Sequence, residues 1–363
     1  MSGELAFFPD WRRFNPFQTM LFGDVGRVGA VPRPVRSLRK YLAAAAASGS
    51  GSGDPAVLNV HWTTPVLAGV ADLGQARARV AVVGELLDRF REAGGRLVWT
   101  VHNVLPHDPV HVECEVALAR LLADRADLVH VLSEATGPAA APYFRIDPAR
   151  TVCIPHASYR GVYPDWVSRA GARRRLGVAP EESVVLALGQ IRPYKGLDRL
   201  LDFADRAGRP QLRLLVAGAL RGRPGSEPLA ARLATAPRTT SLTRRLRDDE
   251  IQVWMRAADI AVLPYLRVLN SGAFLLAESF DLPVVAPRTG ALVEREDDAH
   301  VRLFDEDDFE DVLAAAISDL VDDPHGAARA HASAEHAALS RPVGQMATRF
   351  ADAIAPLLSF TQT

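Results

Sequence analysis

Short apolar runs alternate with longer amphipathic stretches from one end of the chain to the other. Residues 57–61 (VLNVH) have the length and composition of a buried strand. Residues 75–93 then place Val80, Val83, Leu86, Leu87 and Phe90 on one helical face, and Gly94-Gly95 closes that helix. Residues 96–102 (RLVWTVH) form the next predicted strand, 110–124 a helix, and 128–132 and 151–155 two further strands. After a polar, turn-rich joint at about 157–174 the same grammar restarts. Strands are predicted at 184–188, 212–217, 260–263 and 282–286, with helices at 197–206, 248–257 and 272–280 and helical pattern from 308 onward. Strands separated by helices pair in parallel through right-handed crossovers. The expected fold class is therefore α/β, two Rossmann-like doubly wound domains with a cleft between them, residues 1–160 and 161–340. A ligand is expected at the carboxyl ends of the strands.

Composition changes this picture little. The 363 residues are 48% hydrophobic and 23% charged, with 42 basic and 43 acidic residues and a formal net charge of −1. That balance gives no global attraction to nucleic acid. Two cysteines make no disulfide framework. The start lacks the pattern of a secretion signal, and no stretch reaches the roughly 18 apolar residues of a membrane span, so a cytoplasmic protein is expected. Segment 45–54 (AAASGSGSGD) reads as a loop inside the first half. Only Lys40 and Lys195 are lysines among those 42 basic residues.

Candidate chemistry gathers at predicted strand ends. Gly189 ends the strand 184–188, and Arg192 and Lys195 follow just before a helix start. A glycine there admits a ligand to the backbone, and two cations beside a helix N-terminus suit an anion; the plainer reading is a solvated basic turn. In a second cluster, Asn270 or Ser271 is a natural N-cap ahead of Gly272, leaving N–H groups for phosphate or sugar oxygens. Glu278, among Leu275, Leu276, Ala277 and Phe280, stands out on an apolar face; it is either solvated or a partner for vicinal hydroxyls. In the first half Asp10 and Trp11 follow the first strand, with Asn15-Pro16 opening a helix. His61 and His102 stand at two later strand tips, and His107, Asp108 and His111 follow. Their spacing matches no zinc or iron motif. Arg33, Arg36, Arg39 and Lys40 form a basic group beside a helix, either a solvated edge or a face for anionic lipid headgroups.

The two clusters of the second half carry a resemblance. The series G-x-x-R-x-x-K-G-L-D-x-L-L, then strand-A-G, D-E-x-x-x-W-x-R-A-A-D-I-A-V-L-P and S-G-x-x-x-x-x-E-S-F-x-L-P-V-V-A, from about 184 to 290, resembles the donor domain of GT-B glycosyltransferases of family 4 type. The opening FFPDWRRFNPFQ and the Asn-Ser-Gly variant are similar to bacterial polysaccharide transferases, mannosyl-type enzymes among them. The resemblance implies a hexosyl transfer from a nucleotide diphosphate sugar, GDP-mannose or a UDP-sugar, to a hydroxyl of a glycan, glycolipid or natural product. It implies an acceptor side in 1–160, a donor domain in 161–340, and a terminal helix in 341–363 packing back on the first half. Its donor-binding residues carry to Gly189, Arg192, Lys195, Asn270, Ser271, Gly272 and Glu278, with Arg192 and Lys195 on the diphosphate and Glu278 on ribose. His102 is carried to the reaction centre, Asp10 and His102 are the candidate bases, and His61 and Trp11 belong to the acceptor side. No metal and no cofactor are implied, the nucleotide sugar being a substrate. One departure stands out: the family's first glutamate, eight residues before the second, is replaced by Asn270, which leaves inversion and retention both open. A sugar-nucleotide 2-epimerase and a non-catalytic sugar-nucleotide binding protein share this fold and are the alternatives.

Overall fold

The computed structural model describes residues 3–47, 56–106, 108–220, 227–266 and 268–358. The proposed loop 45–54 therefore lies mostly outside the described residues, as does His107. The chain divides into two compact units, residues 1–157 with 343–363, and residues 158–342. The sequence had placed these divisions at 160/161 and 340/341.

The first unit holds six strands: β1 (Gly3–Phe8), β2 (Ala30–Pro34), β3 (Val57–Val60), β4 (Arg96–Val101), β5 (Leu128–Val131) and β6 (Thr151–Cys153). They pair in parallel in the order β2-β1-β3-β4-β5-β6. The central strands read as continuous apolar runs because helices cover both faces. Leu58, Val60, Leu97, Trp99 and Val129 meet Val80, Val83, Leu87 and Phe90 of the helix Leu73–Glu92 in one buried cluster. The edge strand β2 (AVPRP) escaped sequence reading, since two prolines and exposed Val31 and Arg33 break any strand pattern.

The last helix, Val343–Leu358, belongs to this unit. It buries Met346, Phe350 and Ile354, with Phe350 against Phe22 and His130. Val343 and Leu357 of the same helix are only partly covered.

The second unit repeats the plan with β7 (Ser183–Leu188), β8 (Leu212–Ala217), β9 (Thr239–Leu242), β10 (Ile260–Val262), β11 (Val284–Pro287) and β12 (Val301–Phe304). Their order is β12-β11-β10-β7-β8-β9, all parallel. β9 (TTSL) and β12 (VRLF) are edge strands that local apolar pattern did not single out. Each sheet reverses its strand order once, between β1 and β3 in the first unit and between β7 and β10 in the second. Loops diverge at such points and leave a crevice at the carboxyl ends of the strands.

Candidate functional site

The crevice of the first unit is built from the ends of β1, β3 and β4. His61 follows β3 and donates its backbone N–H to the carbonyl of Phe8, 2.7 Å away, which fixes it against β1. Trp11, Trp62 and His102 form a continuous stack: the two indoles lie 4.5 Å apart and Trp62 lies 4.0 Å from His102, with 14° between their planes. Phe17 abuts His102 edge-on at 4.8 Å. Gln18, fully buried, holds the Trp11 loop by accepting from the Trp11 N–H at 2.9 Å and donating to the Pro9 carbonyl at 2.8 Å. The Asn15 side chain accepts from Phe17 N–H and starts that short helix.

His61 and His102 meet through Nδ1 and Nε2 at 3.1 Å, so one ring donates and the other accepts. Both are held well below the usual histidine range, first by burial and then by the neighbouring imidazoles. His130 is pushed down to about 4 by burial, against its bond to the Ile154 carbonyl. These rings are therefore neutral at physiological pH, and charging any of them costs desolvation.

Glu115 also opens into this crevice. It lines one pocket with His61, Trp62, His102 and Asn103. The side chain is 7% exposed, and its Oε2 has no hydrogen-bond partner among the described residues. Burial pushes it up to about 7.

Asp10 takes a different part from the one expected. It is exposed and bound by Arg12 through Nε at 2.8 Å and Nη2 at 3.0 Å, and this pairing holds its carboxyl below the usual range. A stabilised carboxylate already sharing both oxygens with a guanidinium is a poor proton acceptor, so the structure does not present Asp10 as a base.

In the second unit the loops after β7 and β10 are tied together. Leu266 N–H donates to the Tyr194 carbonyl at 2.9 Å, and the Lys195 ammonium sits 3.6 Å from the centre of the Tyr265 ring. Gly189 has φ +135°, and a Cβ there would meet no atom within 4 Å, so the end of β7 is open to a ligand. Gly196 has φ +61°, and a Cβ would fall 1.9 Å from the Pro264 carbonyl oxygen; only glycine lets the two loops approach this closely. Lys195 is half-buried, and burial, followed by the charge of Arg192, pulls it down to about 7. Gly189, Lys195 and Tyr265 line one pocket. Ser271 is the N-cap of the helix Gly272–Ser279, its hydroxyl accepting from Phe274 N–H at 3.2 Å. Asn270 is half-buried just before it. Residues 221–226, in the loop after β8, and Arg267, in the loop after β10, lie outside the described residues.

Glu278 is enclosed by partners within its own unit. It is 0% exposed, and both carboxylate oxygens are engaged: Arg295 at 2.5 Å and His300 at 2.9 Å share Oε1, while Arg341 reaches Oε2 at 3.2 Å. With those partners it offers no vacant oxygen to a ribose in this arrangement. Glu278, Asp298 and His300 bring ligand-type atoms within 4.8 Å of one another. Both carboxylates are already neutralised by Arg295, so the cluster is an ion-pair hub.

Trp62, Gln18 and Glu115 are not among the residues the sequence singles out. Glu115 had a readable signal, for it shares spacing 115, 118, 119, 122 with the buried Leu118, Ala119 and Leu122. The same logic had singled out Glu278.

Two doubly wound parallel sheets, with basic and glycine-rich loops at the carboxyl edge of the second, are the architecture of the GT-B fold. The pattern of the family described as glycosyl transferases group 1 matches residues 182–323. A GDP-mannose:glycolipid 4-β-D-mannosyltransferase of Xanthomonas campestris pv. campestris is 30% identical over 272 residues, which cover 73% of this chain and 71% of that one. A D-inositol 3-phosphate glycosyltransferase of Mycolicibacterium smegmatis is 35% identical over 177 residues, 47% of this chain and 40% of that one. Among solved structures, sucrose-phosphate synthase from Thermosynechococcus elongatus matches with a TM-score of 0.77 at 16% identity, covering 98% of this chain and 99% of that one. Anabaena HepE in complex with UDP-glucose matches with a TM-score of 0.75 at 17% identity, covering 98% and 100%. This chain belongs to the group 1 glycosyltransferases. No helix among the described residues is long and apolar enough to cross a membrane.

Proposed function

We propose that this glycosyltransferase moves mannose from GDP-mannose to a hydroxyl of a glycolipid, with inversion at the anomeric carbon. The observation that carries the donor half is the placement of Lys195 over Tyr265, beside Arg192 and the open backbone of Gly189, at the point where the second sheet reverses its order. A half-buried ammonium on an aromatic face is an unmet cation, and a diphosphate satisfies it. As the diphosphate leaves, Arg192, Lys195 and the N–H groups after Ser271 meet its growing charge. These cations would take the part of a metal, and a chelator should leave the rate unchanged.

The choice of GDP-mannose, of a glycolipid and of inversion rests on the Xanthomonas relative, whose name specifies GDP-mannose, a glycolipid and a β linkage. Mannose is α-linked in GDP-mannose, so a β product demands inversion. Asn270 in place of the family's first glutamate is consistent with a departure from retaining chemistry. On the acceptor side, the half-buried stack of Trp11, Trp62 and His102 at the carboxyl edge of the first sheet offers ring edges and an outer face against which a sugar would pack. Arg33, Arg36, Arg39 and Lys40 would hold this unit to an anionic membrane where a lipid-linked acceptor resides.

A thermal-shift series with GDP, GDP-mannose, UDP and UDP-glucose tests the donor. Stabilisation by the guanosine pair alone is expected. Stabilisation by the uridine pair would replace the donor, and no shift with any would remove the donor site.

A further inference from the structure

We propose that Glu115 is the base that accepts the proton of the acceptor hydroxyl, an inference that rests on the inverting reading above. It begins from placement. Glu115 stands in the first turn of the helix Val112–Arg125, which follows β4, and so at the carboxyl edge of the first sheet. Its neighbours in the pocket are Trp62, His102 and Asn103, the residues a sugar would meet. The helix turns Leu118, Ala119 and Leu122 into the core from the same face, which forces residue 115 inward as well.

A carboxyl group so buried ordinarily finds hydrogen-bond partners, because an unpaired polar atom there bears the cost of its lost hydration uncompensated. Glu115 Oε2 has none among the described residues. Glu278 shows how this chain treats a buried carboxylate that serves the fold: two arginines and a histidine surround it. Glu115 has been left without such a shell, at the wall of a small pocket of about 20 Å³ that it shares with Trp62, His102 and Asn103, and an acceptor hydroxyl entering there would supply the missing partner.

The rival bases compare poorly. Asp10 is neutralised by Arg12 and held low, and His102 is held well below the usual imidazole range by burial. Glu115 moves the other way, up to about 7, where a general base is best matched to physiological pH. In the transfer step the acceptor oxygen forms its bond to the anomeric carbon as the bond from that carbon to the β-phosphate oxygen breaks. The electron pair leaves with GDP, and the hydroxyl proton passes to the Glu115 carboxylate, which later returns it to water.

Glu115→Gln keeps shape and hydrogen-bonding capacity while removing the basic oxygen. GDP release from GDP-mannose, with octyl β-D-glucoside present and with water alone, reads the step in both proteins, and a GDP thermal shift reads donor binding. The variant is expected to lose kcat by about 100-fold or more, the range of a missing general base. Its KM for GDP-mannose, its GDP shift and its Tm should be retained. A kcat within threefold of the parent would overturn the role of Glu115 while leaving the transferase reading intact. A parent protein that is neither shifted by GDP nor releases it would overturn that reading and this inference together. A variant with lowered Tm and lost GDP shift would make Glu115 a structural acid and also overturn it; Glu115→Asp then serves as the control, since a base moved by one methylene retains part of kcat and a structural acid does not.

Discussion

The Lys195 ammonium lies 3.6 Å from the centre of the Tyr265 ring and thereby joins the loop after β7 to the loop after β10. Sixty-nine residues of chain separate the two, yet the reversal of strand order between β7 and β10 makes them neighbours. The pairing leaves the ammonium at the edge of a pocket, with no carboxylate partner among the described residues.

The depressed pKa of Lys195 makes donor binding pH-dependent. Burial comes first and Arg192 second in pulling it down to about 7, so above pH 7 the free protein holds mostly neutral amine. A diphosphate restores the charged form, and binding above pH 7 therefore takes up a proton. GDP-mannose affinity should weaken by up to about tenfold per pH unit above 7. Calorimetry from pH 6 to 9 in buffers of different ionisation enthalpy reads both the affinity and the proton. Lys195→Arg should flatten the profile and Lys195→Ala should abolish catalysis with the fold retained. A flat profile in the parent would sink the diphosphate role.

Gly196 should tolerate no side chain. Its φ of +61° costs an L-residue about 1–2 kcal/mol, and a Cβ 1.9 Å from the Pro264 oxygen adds a clash that only separation of the two loops relieves. Gly196→Ala is expected to weaken GDP binding more than tenfold and to lower Tm. An unchanged GDP shift in this variant would show that the loop contact has no part in the donor site.

Arg295→Ala should destabilise the second unit by about 3 kcal/mol, because it removes one partner from a carboxylate with no access to water. Burial alone would raise Glu278; the bond from His300 and the charges of Arg295 and Arg341 outweigh it and hold the group below its usual 4.5. A lowered folded pKa contributes stability that is present above the unfolded value and drains as pH falls through the folded one. Acid unfolding should therefore begin at higher pH in Arg295→Ala than in the parent, as followed by urea titrations at pH 7 and pH 4. Equal stability at both would contradict the hub.

Arg36, Arg39 and Lys40 are exposed, whereas Arg33 faces Glu4 at 3.5 Å and is partly spent. If this group docks on a membrane, co-sedimentation with phosphatidylglycerol vesicles should fall with salt, and changing all four to alanine should remove about 1 kcal/mol per unpaired cation. Binding that survives the fourfold change would assign the membrane contact elsewhere.

Much of this architecture is local and so was legible in sequence. The buried central strands, the 3.6-residue faces of the helices from Leu73 and Val343, and the Gly189–Lys195 loop each declare themselves within a few residues, because burial imposes periodicity on neighbours along the chain. The edge strands β2, β9 and β12 do not, since half their surface faces water and pairing to a distant strand alone holds them. Side-chain roles divided in the same way. That Arg192 and Lys195 share one loop after a strand, just before a helix, is read from the sequence. That Asp10 is spent on Arg12, that Glu278 is sealed by Arg295, His300 and Arg341, and that Glu115 is buried without a shell are facts about partners. For Glu278 those partners lie from 17 to 63 residues away. The availability of a charged group is set by what the folded chain brings to it, and only the tertiary structure decides that.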